Sequence, residues 1–194
     1  VLFPFIERDD DYFLSPSPEA MKNLSSAFPG RGITRHFSSP YPRNEVFIGE
    51  QKGIVGNIKK IIYMPTWRGF LGSSIDLFTD YNFDINKMNN FLQTNNLILD
   101  LKLHKYSKFK DNLKEEIGCS SYINIIEDSD VYEIITDYDM LITDYSSIYF
   151  DYLYSQKPII FTPFDLKHYL EFDHKMYYDY SSVTPGPKAN NWDE

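Results

Sequence analysis

"MLITDYSSIYFDYL", residues 140–153, reads as a short apolar strand, a turn carrying one acid and two hydroxyls, and then a helix. "MLIT" is a continuous apolar run, as a strand buried on both faces requires. Small polar residues then open the aromatic-rich segment expected to be helical over residues 146–156. The question is why Asp144, Ser146 and Ser147 stand between two buried segments. In a parallel α/β sheet, ligands bind outside the carboxyl ends of the strands, where strand gives way to helix. The first N–H groups of a helix lack internal partners and lie at its positive end, and two serine hydroxyls add donors. The turn from Asp144 to Ser147 is therefore suited to a phosphate or diphosphate. Asp151, one helical turn beyond Ser147, is placed to accept hydrogen bonds from sugar hydroxyls. The same residues have a plainer reading, with Asp144 or Ser146 as a helix cap and Asp151 as a surface acid.

Working outward, the same alternation recurs. "KIIYMPT" (60–66), "LILDLKLH" (97–104), "YINII" (122–126) and "PIIF" (158–161) are further strands. Between them, Ile85, Met88, Phe91 and Leu92 recur at helical spacing. Phe109, Leu113 and Ile117 mark a second helix, closed by Gly118, and Val131, Ile134, Ile135 and Tyr138 a third. Five strands alternating with four helices mean right-handed crossovers and a parallel sheet. The expected fold is α/β, a Rossmann-like doubly wound parallel sheet. Upstream, "SPSPEAMKNLSSAF" (15–28) predicts a short helix with Ser17 as N-cap and Pro18 in its first turn. Residues 29–56, rich in Gly, Pro and Ser, read as loops joined by short extended pieces. The stripe of Tyr149, Phe150, Tyr152 and Tyr154 is expected in the core. Pro185-Gly186-Pro187 reads as a rigid turn, and "ERDDD" (7–11) as a solvated face.

Composition narrows the function classes. The chain has 194 residues, enough for one domain, and a 42% hydrophobic content sufficient for a core. Its 28 acids against 19 bases give a net charge of -9, which argues against duplex nucleic acid as a partner. One cysteine, Cys119, excludes an internal disulfide and fits a reducing compartment. Four histidines without metal-ligand spacing argue against a zinc site, and no apolar run is long enough to cross a bilayer. The amino-terminal "VLFPFIERDDDYF" lacks the pattern of a secretory signal, so a cytoplasmic location is expected. The ends, a first residue Val1 and a closing "NNWDE" that reads as a helix start, suggest part of a longer protein.

The segment "LITDYSSIYFDYLYSQKPIIFTPFDLKHY" (141–169) with "YYDYSSVTPGP" (177–187) closely resembles the CDP-glycerol glycerophosphotransferase family, the teichoic-acid primases and polymerases. "SPYPRNEVF" (39–47) is similar to that family's Gly-Tyr-Pro-Arg-Asn-Asp segment, "YMPTWRG" (63–69) to its Pro-Thr-aromatic-Arg segment, and "LKLHK" (101–105) to its strand ending in His-Pro. The likeness runs over residues 12–194. It implies a GT-B architecture of two Rossmann-like domains, with residues 1–194 as the single nucleotide-donor-binding half. It further implies transfer of a polyol phosphate, glycerol phosphate favoured, from a CDP-linked donor to a hydroxyl acceptor. Carried over, Ser146 and Ser147 would hold the donor diphosphate, with Arg68 and Arg43 as cationic contacts. His104 would be catalytic, offsetting charge on the leaving phosphate. Asp151 and Asp144 would meet the nucleotide or its ribose. No cofactor or metal is expected. The implied partners are the nucleotide-activated donor, a lipid-linked or polymer acceptor at the inner membrane face, and an N-terminal domain of the same protein.

On the residues alone, His104 could be a satisfied structural group, Arg68 a surface stack on Trp67, and Arg43 a turn stabiliser. The match also departs from the family pattern. Pro40 stands where the family has Gly, Glu45 where it has Asp, and Lys105 where Pro follows the histidine. His174 and Lys175 are the only basic residues where the family often carries an Arg-Gly pair. The Trp-His-Gly segment that supplies the family's catalytic base does not occur, so the base is expected upstream of Val1. Two other readings keep the same anion site: a GT-B glycosyltransferase using a UDP- or GDP-sugar, and a non-catalytic nucleotide-binding module.

Overall fold

The computed structural model describes residues 12–27, 36–49, 53, 56–68, 75–104, 107, 109, 112–127, 130–173 and 175–194. The acidic run at 7–11, the loop at 69–74, Lys105, His174 and parts of 29–56 lie outside the described residues. The chain divides into two compact units, Val1–Ile48 and Gly49–Glu194.

In the first unit, β1 (Phe13–Ser15) pairs in parallel with β2 (His36–Ser38), Phe13 opposite His36. Between them runs α1 (Pro18–Ala27). Its start is as expected: the Ser17 hydroxyl accepts from the Ala20 amide at 3.1 Å, and Pro18 occupies a position whose N–H would have no partner. The His36 ring joins Ser15 on β1 (2.9 Å) to Ser25 on α1 (3.1 Å). A 3-10 turn, Pro42–Phe47, follows.

The second unit is built on five parallel strands: β3 (Lys60–Met64), β4 (Ile98–Leu101), β5 (Ile123–Ile125), β6 (Met140–Thr143) and β7 (Ile159–Phe161). Their spatial order is β5-β4-β3-β6-β7. The chain winds outward from β3 to β5, returns to the other side of β3, and winds outward again to β7. This is the doubly wound sheet the alternation predicted, and its direction reverses between β3 and β6. Ile61 and Tyr63 of β3 and Leu99 and Leu101 of β4 share one core cluster. Leu92 of α2 (Ile85–Asn95) and Leu113 and Ile117 of α3 (Leu113–Gly118) complete it. Asp100, between the two leucines of β4, faces the other way and accepts from Tyr138 Oη and Asn124 Nδ2, both at 2.7 Å. The period-2 alternation of a strand thus sorts β4 into an apolar and a polar side.

Local details depart from expectation for physical reasons. Gly118 is the last residue of α3 rather than its cap. The Cys119 amide reaches back to Glu115 and Glu116 from a right-handed conformation, so no positive φ is needed. The third helical stripe forms one turn, α4 (Val131–Ile134), continued by a 3-10 turn. The segment expected helical over 146–156 is α5 (Ile148–Tyr152) followed by a 3-10 turn, and Gln156 ends it at φ 56°. Of its aromatic stripe, Tyr149 and Tyr152 are buried, whereas Phe150 and Tyr154 are exposed. Positions three apart share a helix face, so the four rings divide between core and solvent.

After β7, α6 (Leu166–His168) runs into a π-helical turn, and α7 (Tyr180–Val183) follows. The final residues form turns. They carry Trp192 onto Phe78 (centroids 5.7 Å, stacked) and edge-on to Tyr63, its indole N–H bonded to Leu77 O at 2.7 Å. Gly186 is more than part of a rigid turn. A Cβ there would lie 2.2 Å from Ile159 O and 3.1 Å from the Phe161 ring, because the segment lies against β7, with the Phe161 amide bonded to Pro187 O. Gly186→Ala is expected to cost about 1–3 kcal/mol and lower Tm by roughly 3–10 °C. Gly118→Ala, which meets nothing within 4 Å inside a helix, should leave Tm unchanged or raise it, and thermal denaturation of both variants checks the contrast.

Candidate active site

The carboxyl ends of β3 and β6 meet where the winding reverses, and the side chains there close into an ionic knot. Asp144 follows β6 directly and is 1% exposed. Its Oδ1 accepts from the Thr66 amide and hydroxyl, both at 2.8 Å, and from the amides of Tyr145 and Ser146. Its Oδ2 accepts from Arg68 Nη2 at 2.7 Å. Arg68 also donates to both oxygens of Asp165, at 2.7 and 2.8 Å, and to the Thr66 carbonyl. The side chains of Arg68, Asp144 and Asp165 are 2%, 1% and 0% exposed. The Tyr145 and Tyr169 rings lie against the guanidinium at 4.9 and 5.1 Å.

At Arg68 and Asp165 burial opposes the charged form, and their pairing overrides it. Burial alone would raise the Asp165 carboxyl, yet the hydrogen bonds and charge of Arg68 hold it below its ordinary value. Burial works against the guanidinium too, but the two carboxylates raise Arg68 further above its already high value. Burial, together with the charge of Asp165, pushes the Tyr145 phenol up, so Tyr145 remains a donor to Asp165 at 3.0 Å.

Beside this knot opens a cleft of about 1030 Å³ over the ends of β3, β4, β5 and the turn after β6. Ser146, Ser147 and His104 all line it. Ser146 is half-buried and Ser147 exposed, and their hydroxyls make no hydrogen bond among the described residues. His104 is exposed at the end of β4, its ring stacked on Trp67 at 5.2 Å. The three residues on which the sequence reading turned therefore face one cavity. Among the described residues, no cluster of three or more His, Cys, Asp or Glu is placed to hold a metal ion.

The other expected site residues lie elsewhere. Arg68 and Asp144 do not line the cleft; they are buried and bound to each other, so neither side chain presents itself to a ligand. Asp144 also occupies two amides of the turn that had been expected to meet an anion. Asp151 is neither a surface acid nor exposed to the cleft: it is 3% exposed and accepts from Tyr132 Oη at 2.6 Å, tying α5 to α4. Arg43 belongs to the first unit, where its guanidinium stands 4.2 Å over the Tyr41 ring. Three contributors were not foreseen. Asp165 lies 97 positions from Arg68 and carries no local signal. Thr66 reads as the end of a strand and as part of the Pro-Thr-aromatic-Arg segment, with no role of its own. Lys102, half-buried in the cleft wall, could have been found from its spacing of two from His104.

A parallel sheet with an open cleft at its switch point, lined by hydroxyls and an imidazole, defines a doubly wound α/β domain whose cleft lies where such folds bind ligands. The family model of the CDP-Glycerol:Poly(glycerophosphate) glycerophosphotransferases matches residues 5–194, and the chain belongs to that family. It is 31% identical over 196 residues to a teichoic acid poly(glycerol phosphate) polymerase of Bacillus spizizenii, covering 91% of this chain and 47% of the relative. It is 30% identical to a teichoic acid glycerol-phosphate transferase of Staphylococcus aureus, covering 93% and 48%. Among solved structures, a variant of the wall teichoic acid polymerase TagF superposes with a TM-score of 0.72 at 26% identity, over 93% of this chain and 46% of that one. The chain thus spans about half the length of these two curated relatives and 24–32% of other relatives it matches.

Breaking the knot should be costly. Arg68→Met leaves two buried carboxylates facing each other and is expected to lose about 3–5 kcal/mol, read from the shift in urea midpoint at pH 7. Asp165 has a folded value below the ordinary carboxylate value near 3.9, so its contribution is present in full above about pH 4. It fades as pH falls toward the folded value. The stability difference between wild type and Asp165→Asn should therefore be largest at neutral pH and shrink below about pH 4.

Proposed function

We propose that this chain supplies the donor site of an enzyme that transfers a polyol phosphate, glycerol phosphate favoured, from a CDP-linked donor to a hydroxyl acceptor in teichoic-acid or capsule-type polymer synthesis. The observation that carries the reading is the convergence of Ser146, Ser147 and His104 on one cleft at the sheet's switch point, in a chain of this family. Relatives with glycerol-phosphate polymerase and transferase names support the chemistry, and a TagF variant soaked with CDPG supports the donor class.

In this reading the donor diphosphate lies against the hydroxyls of Ser146 and Ser147. An acceptor hydroxyl, deprotonated by a base from an N-terminal domain of the same protein, attacks the β-phosphorus. The bond from that phosphorus to the bridging oxygen breaks, and CMP leaves. His104 stands where negative charge grows on the leaving phosphate and offsets it by donating a hydrogen bond. Such transfers depend on positioning and charge stabilisation, which a rigid strand-end site provides. Arg68, Asp144 and Asp151 act as positioning residues that set the turn and the two helices around the cleft. No metal is invoked. The acceptor is a lipid-linked or polymer hydroxyl, met at the inner face of the membrane. Among the described residues no helix is long and apolar enough to cross a membrane, and we assign the protein a peripheral position there.

The test is calorimetric titration of the chain with CDP, CMP and UDP. CDP should bind most tightly, and Ser147→Ala should weaken it about tenfold, the loss of one hydrogen bond to a charged group. Equal binding of UDP would favour a nucleotide-sugar transferase. Failure of CDP to bind at millimolar concentration would sink the donor-site reading.

A further inference from the structure

Arg68 was the strongest cation the sequence offered for a diphosphate, but its guanidinium is buried and bound by Asp144, Asp165 and the Thr66 carbonyl. Among the described residues, two lysines, Lys102 and Lys114, line the cleft. Lys114 is paired with Glu127 at 3.1 Å on the rim. Lys102 is different. Its ammonium has no hydrogen-bond or ion-pair partner among the described residues, and it is half-buried in the wall.

The strand explains where Lys102 stands. Leu101 and Leu103 pack into the core cluster, and Asp100 takes the opposite side of β4. Past the end of β4 at Leu101, Lys102, Leu103 and His104 all line the cleft. The Lys102 amide is held by Tyr63 O at 3.0 Å, so the backbone from which its side chain springs is fixed by the sheet. The rim meanwhile carries Glu127 and Asp130, in a chain of net charge -9. A diphosphate entering this cleft meets like charge unless a cation inside it compensates.

We propose that Lys102 is the side chain that neutralises the diphosphate in the cleft, an inference that rests on the donor-site reading. Its three N–H donors and rotatable stem form a point-charge contact to phosphate oxygens, beside the hydroxyls of Ser146 and Ser147. Arg68, locked one layer deeper, keeps the turn in shape and leaves ligand charge to Lys102.

The experiment titrates wild type, Lys102→Met and Lys102→Arg with CDP, inorganic pyrophosphate and cytidine at low salt, with Tm recorded for each. The expected result is a loss of roughly 10- to 100-fold for CDP and pyrophosphate in Lys102→Met, with cytidine binding and Tm unchanged and Lys102→Arg within a few-fold of wild type. Wild-type affinity for pyrophosphate in Lys102→Met overturns the inference. So does an equal loss for cytidine, which would make Lys102 a shaper of the cleft. If wild type binds pyrophosphate through Lys102 but not CDP, this inference stands and the CDP-donor reading falls. If it binds neither, both fall.

Discussion

The site depends on one guanidinium held between two carboxylates. Arg68 comes from the loop after β3, Asp144 from the turn after β6, and Asp165 from the segment after β7. Each would be a severe liability if buried alone, since an isolated charge in an apolar interior is strongly disfavoured. Together they tie three strand ends across the place where the sheet changes direction. The knot contains one positive and two negative groups, and Tyr145, Thr66 and backbone amides carry the excess negative charge as donors. Every donor engaged there is withheld from a ligand. The consequence is a division of labour: a buried, saturated layer sets the geometry, and an outer layer of Ser146, Ser147, His104 and Lys102 faces the cleft.

The fold was legible because burial on both faces of a parallel strand leaves an unmistakable mark. "KIIYM", "ILDL" and "MLIT" are near-continuous apolar runs, and the helical stripes between them fix the crossovers. The site was legible in part. That Ser146, Ser147 and His104 share one cleft was open to the sequence because a position just after a strand end is a property of the local sequence. The burial and pairing of Arg68 and Asp144 were not legible, because an arginine looks the same in sequence whether its partner is a phosphate or an aspartate far along the chain. The burial of Asp151 was hidden for a related reason, since only the packing of α4 against α5 supplies Tyr132. The sidedness of Asp100, by contrast, was open to a reading of β4 two residues at a time.

Family membership places this arrangement in a wider frame. Two relatives match nearly all of this chain and are about twice its length. In the proposed reading, the half described here positions a donor and stabilises charge, while deprotonation of the acceptor is contributed by another domain. A site of that kind gains from rigidity, since it serves as a fixed anvil against which a second domain closes. The buried knot ties the carboxyl ends of β3, β6 and β7 together, and Gly186 lets the chain lie close against the start of β7.

The two tryptophans occupy opposite circumstances. Trp192 lies among Tyr63, Phe78, Phe83 and Phe164, where its emission follows the integrity of the aromatic core. Trp67 lies in the cleft wall with an imidazole stacked on it, where its emission is expected to follow what enters the cleft. The molecule therefore carries two native optical reporters. Replacing either indole with phenylalanine would leave a single-channel protein, one watching the fold and the other watching the mouth of the binding site.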